Sequence, residues 1–310
     1  MAGLAIDGYC NMAQYQVGEI INKLYRVTGY LGEGAQSYVY SVSDAKRPLA
    51  CWALKQLRLD DIPSAERDNA LEMFAREGLI LKQLHHQALP KLIDYGAPSG
   101  QAPYIVMERV KGRPLDEVLN ERTAPLRLEE ALPIALQLTH LLHALHKQTP
   151  PIIYRDLKPS NLILSDSGMI RLIDFGIARF RSADSLKDTQ ELGTPGYCAP
   201  EQYRGYSSAQ SDLYSLGVTI YYMLTFKDPQ SLNFNFPPLN TIIKDAPSAL
   251  TNLLAACLSI DVNKRPQSAQ EVRRILFKVL QNYQATPSKS TQPLEIGLQN
   301  LSHHLSMLEF

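Results

Sequence analysis

The chain has 310 residues, 45% of them hydrophobic and 20% charged, and Lys+Arg and Asp+Glu both total 31. That length suits one domain with short extensions, and the zero net charge argues against nucleic acid or a strongly acidic partner. No apolar run approaches the ~18 residues a membrane span requires, the start lacks a signal peptide's basic and apolar regions, and Cys10, Cys51, Cys198 and Cys257 show no metal-type spacing, so a reduced, cytoplasmic setting is expected.

Residues 1–22 carry no clear pattern and are expected to form an N-terminal extension. Leu31-Gly32-Glu33-Gly34-Ala35-Gln36-Ser37-Tyr38-Val39 follows, and glycines let a backbone come close to phosphates because no Cβ blocks the approach. A dinucleotide fingerprint would need a helix directly after the glycines. Here Tyr38-Val39-Tyr40-Ser41-Val42 is β-branched and aromatic, which predicts a strand–loop–strand hairpin. Cys51-Trp52-Ala53-Leu54-Lys55 reads as another strand, whose lysine by itself would be a snorkelling surface residue. A helix is predicted over Ser64–Leu84, with Ser64 as N-cap and Leu71, Phe74, Leu81 and Leu84 at helical spacing. Glu77 lies on it, either on a solvated face or as a partner for Lys55. Pro103-Tyr104-Ile105-Val106-Met107-Glu108-Arg109-Val110 reads as a buried strand running into a connection. Glu129–Lys147 and Ser211–Leu224 read as long buried helices; His140, His143 and His146 on the first accompany no carboxylate or cysteine motif, so structural or surface roles are expected.

Tyr154-Arg155-Asp156-Leu157-Lys158-Pro159-Ser160-Asn161, followed by Asp174-Phe175-Gly176, places two acids and an amide where phosphoryl transfer needs them. A base must orient a hydroxyl nucleophile, and two oxygen ligands must hold Mg²⁺ against nucleotide phosphates. With the glycine hairpin, the Lys55 strand and Glu77 in the required order, these segments resemble the signature set of protein kinases. The chain is thereby identified, over roughly residues 23–281, as similar to Hanks-type (eukaryotic-like) bacterial serine/threonine protein kinases.

The resemblance implies an α+β, bilobal fold: a small β-rich N-lobe with one helix (23–107), a hinge (108–112) and a larger, mainly helical C-lobe (113–282). It implies transfer of the γ-phosphoryl of ATP to Ser/Thr hydroxyls of proteins, with autophosphorylation, and ATP and Mg²⁺ as cofactors. Asp156 would be the base and Lys158 would offset charge on the transferring group. Residues 31–39, Ala53, Lys55 paired to Glu77, and Ile163 would bind ATP, with the backbone of Glu108 and Val110 on the adenine edge and Met107 behind it. Asn161 and Asp174 would hold the metal. Ser37 stands where the family has a third glycine, Pro114 where a ribose contact is common, with Asp116 as a substitute, and Tyr154 where histidine is commoner. Gly193-Thr194-Pro195-Gly196-Tyr197 and Ala199-Pro200-Glu201 resemble the segment that seats a peptide, which small-molecule kinases lack. Asp212 would anchor the catalytic loop and Arg265 would pair with Glu201. On the activation loop Thr189 would take a phosphate near Arg155 and Thr194 would contact Asp156; the alternative is a loop ordered without modification.

After a linker expected over 283–293, Leu294, Leu298, Leu301, Leu305 and Leu308 recur at four-three-four-three spacing, predicting an amphipathic helix over 294–310. Self-association or docking through it, and folding back onto the large lobe, remain alternatives.

Overall fold

The computed structural model describes residues 15–34, 36–44, 47–98, 101–176, 178–180 and 193–285. Ala35, Thr189 and the expected helix over 294–310 lie outside the described residues. The chain divides into two compact units, one ending at Val110 and the other beginning at Lys111.

The first unit is built on one antiparallel sheet. Its strands are β1 (Ile20–Ile21), β2 (Tyr25–Gly34), β3 (Ser37–Asp44), β4 (Arg47–Leu57), β5 (Leu92–Gly96) and β6 (Tyr104–Glu108), in the order β1-β2-β3-β4-β6-β5. Alternating residues of these strands meet in a core of Ile21, Tyr25, Val27, Tyr40, Val42, Leu54, Tyr104 and Val106, with Tyr15 packed against it. The sheet therefore reaches back into the stretch expected to be an extension. Asn22 and Lys23 turn β1 into β2 with positive φ of 48° and 60°, and Asn22 Nδ2 donates to Tyr104 Oη at 2.9 Å.

The helix of this unit, α1, runs Arg67–Gln83 and buries Phe74, Glu77, Ile80 and Leu81. Ser64 does not cap it. Residues Ser64–Glu66 form a separate 3-10 turn behind Pro63, and the α-helix starts after Glu66 with no side-chain cap. Proline suits the start of a helical turn because it has no N–H to leave unpaired, so the chain turns here before the α-helical ladder begins.

The second unit is mainly helical. Its helices are α2 (Leu115–Asn120), α3 (Leu128–His146), α4 (Ala209–Thr225), α5 (Pro229–Leu232), α6 (Ser248–Cys257) and α7 (Ala269–Ala285). The strands are β7 (Arg113–Pro114), β8 (Ile152–Ile153), β9 (Leu162–Leu164), β10 (Ile170–Leu172) and β11 (Arg179–Phe180), in two small sheets, β10-β9-β7 and β11-β8. α3 and α4 are buried on nearly every face, including Leu132, Leu138, Leu213, Leu216 and Val218, and they pack against each other and against α7 and α6 respectively. α7 continues through residues 283–285, the start of the expected linker. Together the units give the expected α+β composition. Among the described residues no helix is long and apolar enough to cross a membrane.

Candidate active site

In the first unit the glycine segment is the turn of the β2–β3 hairpin, with Gly34 opposite Ser37 and Gly32 opposite Val39. Two register irregularities, after Val27 and after Tyr30, interrupt the β2 side of the ladder. Gly32 has φ +147° with open space around it, and at Gly34 a Cβ would lie 3.2 Å from the Ser37 hydroxyl. Leu31 is exposed and Ser37 buried. Arg58, at the end of β4, braces this hairpin. Its N–H donates to the Gln36 carbonyl at 2.8 Å, its guanidinium lies 4.6 Å from the Tyr38 ring centre, and Nη1 reaches Glu33 Oε2 at 3.4 Å.

Strand alternation on β4 turns Leu54 into the core and Lys55 to the opposite face. There α1 supplies Glu77, and Lys55 Nζ donates to both carboxylate oxygens at 2.8 Å. Both residues are buried, Glu77 to 1% exposure. Such a pair fixes the ammonium without a large gain in stability, because desolvation offsets most of the attraction. Ala53 neighbours Met107 across the β4–β6 ladder, and Glu108 ends β6 with its N–H on the Lys91 carbonyl at 2.8 Å. Val110 is the last residue of this unit.

In the second unit the loop 154–161 connects β8 to a 3-10 turn and then β9. Its backbone is set from α4 by Asp212, which is fully buried. Asp212 accepts from Tyr154 N–H at 2.9 Å and Arg155 N–H at 2.7 Å, and its Oδ2 lies 2.8 Å from His146 Nε2. His146 is thus structural. Asn161 Nδ2 donates to Asp156 Oδ2 and to the Asp156 carbonyl, both at 2.9 Å. Lys158 Nζ lies 2.9 Å from Asp156 Oδ2 and donates to Thr194 Oγ1. The Thr194 hydroxyl in turn donates to Asp156 Oδ1 at 2.6 Å. Asp156, Lys158, Asn161 and Thr194 therefore form one connected cluster.

Asp174 accepts from Gly176 N–H at 2.9 Å through Oδ1, while its carbonyl takes the Tyr154 hydroxyl at 2.8 Å. The Tyr154 ring stands edge-on to Phe175 with centres 5.6 Å apart. Burial first, then the nearby Asp156 and Asp174 carboxylates, push the Tyr154 phenol well above its ordinary value, so it remains a donor. Ile163 is buried on β9. The donor set suits a hard divalent cation: Asn161 commits its NH₂ to Asp156, which turns its amide oxygen to the other side, and Asp174 adds a carboxylate. Pro114 closes β7 against Ile163, and Asp116 Oδ1 is a buried atom with no hydrogen bond.

Further along, Glu201 and Arg265 pair through two contacts at 2.7 and 2.9 Å. Arg265 also donates to the carbonyls of Ser259 and Gln210 and lies over the Tyr214 ring at 4.8 Å. Two contacts, Arg58 on the hairpin and Gln202 on the Arg155 carbonyl, were not foreseen: Arg58 belongs to no spaced motif, and Pro200-Glu201-Gln202-Tyr203 is a motif that names no partner for its glutamine.

Residues 25–278 match the family model described as protein kinase domain. The chain is 31% identical over 271 residues to a probable serine/threonine-protein kinase PknB of Lactococcus lactis, covering 83% of this chain and 42% of that protein. It is 35% identical over 278 residues to serine/threonine-protein kinase pkn2 of Myxococcus xanthus (82% and 32%), and 30% identical over 300 residues to serine/threonine-protein kinase A of Synechocystis (88% and 56%). The chain thus spans between 32% and 56% of the length of these relatives. Among solved structures it resembles a cysteine-to-alanine mutant of the Mycobacterium tuberculosis PknI kinase domain, with a TM-score of 0.68, 26% identity, and 86% of this chain and 99% of that one covered.

Proposed function

The chain belongs to the protein kinase family, and from that premise we propose that it transfers the γ-phosphoryl of ATP to serine and threonine hydroxyls of proteins. The observation that carries this reading is the Thr194 hydroxyl held between Asp156 and Lys158. An aliphatic alcohol already sits with its proton on the carboxylate and its oxygen against an ammonium. A substrate hydroxyl in the same relation would donate its proton to Asp156 as its oxygen bonds to the γ-phosphorus. The bond from that phosphorus to the β–γ bridging oxygen breaks, and ADP leaves. Lys158 offsets the negative charge on the transferring group.

Lys55, held by Glu77, is the ammonium of the first unit suited to the α- and β-phosphates, and the β2–β3 hairpin is suited to cover them. A Mg²⁺ ion held by Asn161 and Asp174 would neutralise phosphate charge. Arg155, buried beside the base, fits a role in binding a phosphate carried by Thr189, which autophosphorylation would supply. The free cysteines Cys198 and Cys257 favour a reducing, cytoplasmic setting. The leucine seam of 294–310 is proposed to serve self-association or docking, and deletion of 287–310 with an unchanged sedimenting mass would dispose of self-association.

The test is labelled ATP, Mg²⁺ and a generic protein substrate. Asp156→Asn should lose ~10²–10⁴-fold in kcat, the usual worth of a positioned base. Lys55→Ala should lose most transfer while the fold persists. Full activity in either variant overturns the assignment.

A further inference from the structure

We propose that Gln202 is a positioning residue that locks the catalytic loop and the peptide-seating segment into one register; this rests on the phosphotransfer reading above. Gln202 follows Glu201 in a 3-10 turn and is 2% exposed. Its side-chain oxygen accepts from Ala199 N–H at 2.9 Å, and its side-chain nitrogen donates to the Arg155 carbonyl at 3.0 Å. One amide therefore joins two segments that the sequence keeps far apart.

The Arg155 end matters most. Arg155 has φ +77°, a left-handed backbone that a side-chain-bearing residue keeps only when its surroundings over-determine it. Two clamps do so. Asp212 Oδ1 takes the Arg155 N–H at 2.7 Å, and Gln202 takes the Arg155 carbonyl. The next residue is Asp156, so the orientation of this peptide aims the base.

The same turn backs the segment that enters Thr194. Gly193 has φ +138°, and a Cβ there would lie 2.3 Å from Cys198 Cβ and 3.6 Å from Gln202 Nε2. The backbone entering Thr194 thus rests directly on this turn. Gln202 thus adjoins the residue before each partner of the Thr194–Asp156 hydrogen bond. The geometry demands an amide: an ionised carboxylate could accept from Ala199 but not donate to Arg155, and an apolar side chain could do neither.

The test uses the full chain with Gln202→Met and Gln202→Glu, each measured for thermal unfolding, KM for ATP, and kcat on dephosphorylated casein with Mg²⁺. Gln202→Met should unfold cooperatively and keep KM for ATP within about twofold while kcat falls ~10–100-fold, as a catalytic group displaced by about 1 Å requires. Gln202→Glu regains a donor when its buried carboxyl is protonated. Its kcat relative to the unsubstituted chain should rise as pH is lowered from about 8 to about 6, while the Gln202→Met ratio stays flat. A kcat within about twofold for Gln202→Met, a loss matching only the unfolded fraction, or a Gln202→Glu ratio flat at the Met level overturns the proposal. Absence of transfer by the unsubstituted chain overturns the phosphotransfer reading and this role with it.

Discussion

Asp156 is engaged by three side chains at once, and each engagement constrains a different degree of freedom. Asn161 fixes the carboxylate plane, Lys158 supplies positive charge, and Thr194 occupies the acceptor oxygen that a substrate hydroxyl would need. These four residues could be singled out in the sequence because the chemistry demands particular side chains at fixed spacing. The role of Gln202 could not, since the Pro200-Glu201-Gln202-Tyr203 run that contains it does not reveal a contact with Arg155 47 positions away. At Lys55 the geometry leads to a further prediction. Glu77→Gln keeps the shape but gives the ammonium a neutral partner in a buried place. We expect ATP affinity by calorimetry to fall about tenfold, the equivalent of ~1.4 kcal/mol; unchanged affinity would show that Glu77 does not set the ammonium.

Elements were legible where hydrophobic periodicity decided them and illegible where backbone geometry did. α3 and α4 lie within two residues of their expected ends because long apolar stretches leave few alternatives. The start of α1 was missed because Pro63 inserts a 3-10 turn that side-chain preference does not reveal. β1 was missed because two residues carry too little pattern; it exists through pairing with β2. The pair of Glu201 with Arg265 joins the turn ahead of α4 to the turn ahead of α7, with the arginine buried. Glu201→Ala leaves a buried guanidinium uncompensated and should cost about 3–5 kcal/mol in urea unfolding. The double variant Glu201→Ala with Arg265→Met should cost less than Glu201→Ala alone. An equal or greater cost would mean that the stranded guanidinium is not what destabilises Glu201→Ala.

For the whole molecule, the two units hold separate groups of candidate site residues, and the stability of the second is expected to respond to pH through its α3–α7 packing. His140 and His143 face Arg273, and burial first, then the surrounding cations, lower both below the ordinary 6.5. The unfolded chain binds these protons more readily than the folded one. The contribution of neutral imidazoles is therefore complete above about 6.5 and is lost as pH falls from there through the lowered folded values. The melting temperature should drop between pH 7.5 and 5.5, and less so with both histidines replaced by glutamine. An identical drop in both chains would remove these histidines from the account.

The carboxylate of Asp212 sits 57 positions beyond Arg155, whose backbone it secures. A ribosome that has delivered Asp156, Asn161 and Asp174 has still not delivered the group that secures their loop. A nascent chain halted before α4 emerges therefore carries these side chains without their alignment, so the transfer proposed above must await synthesis of the later half.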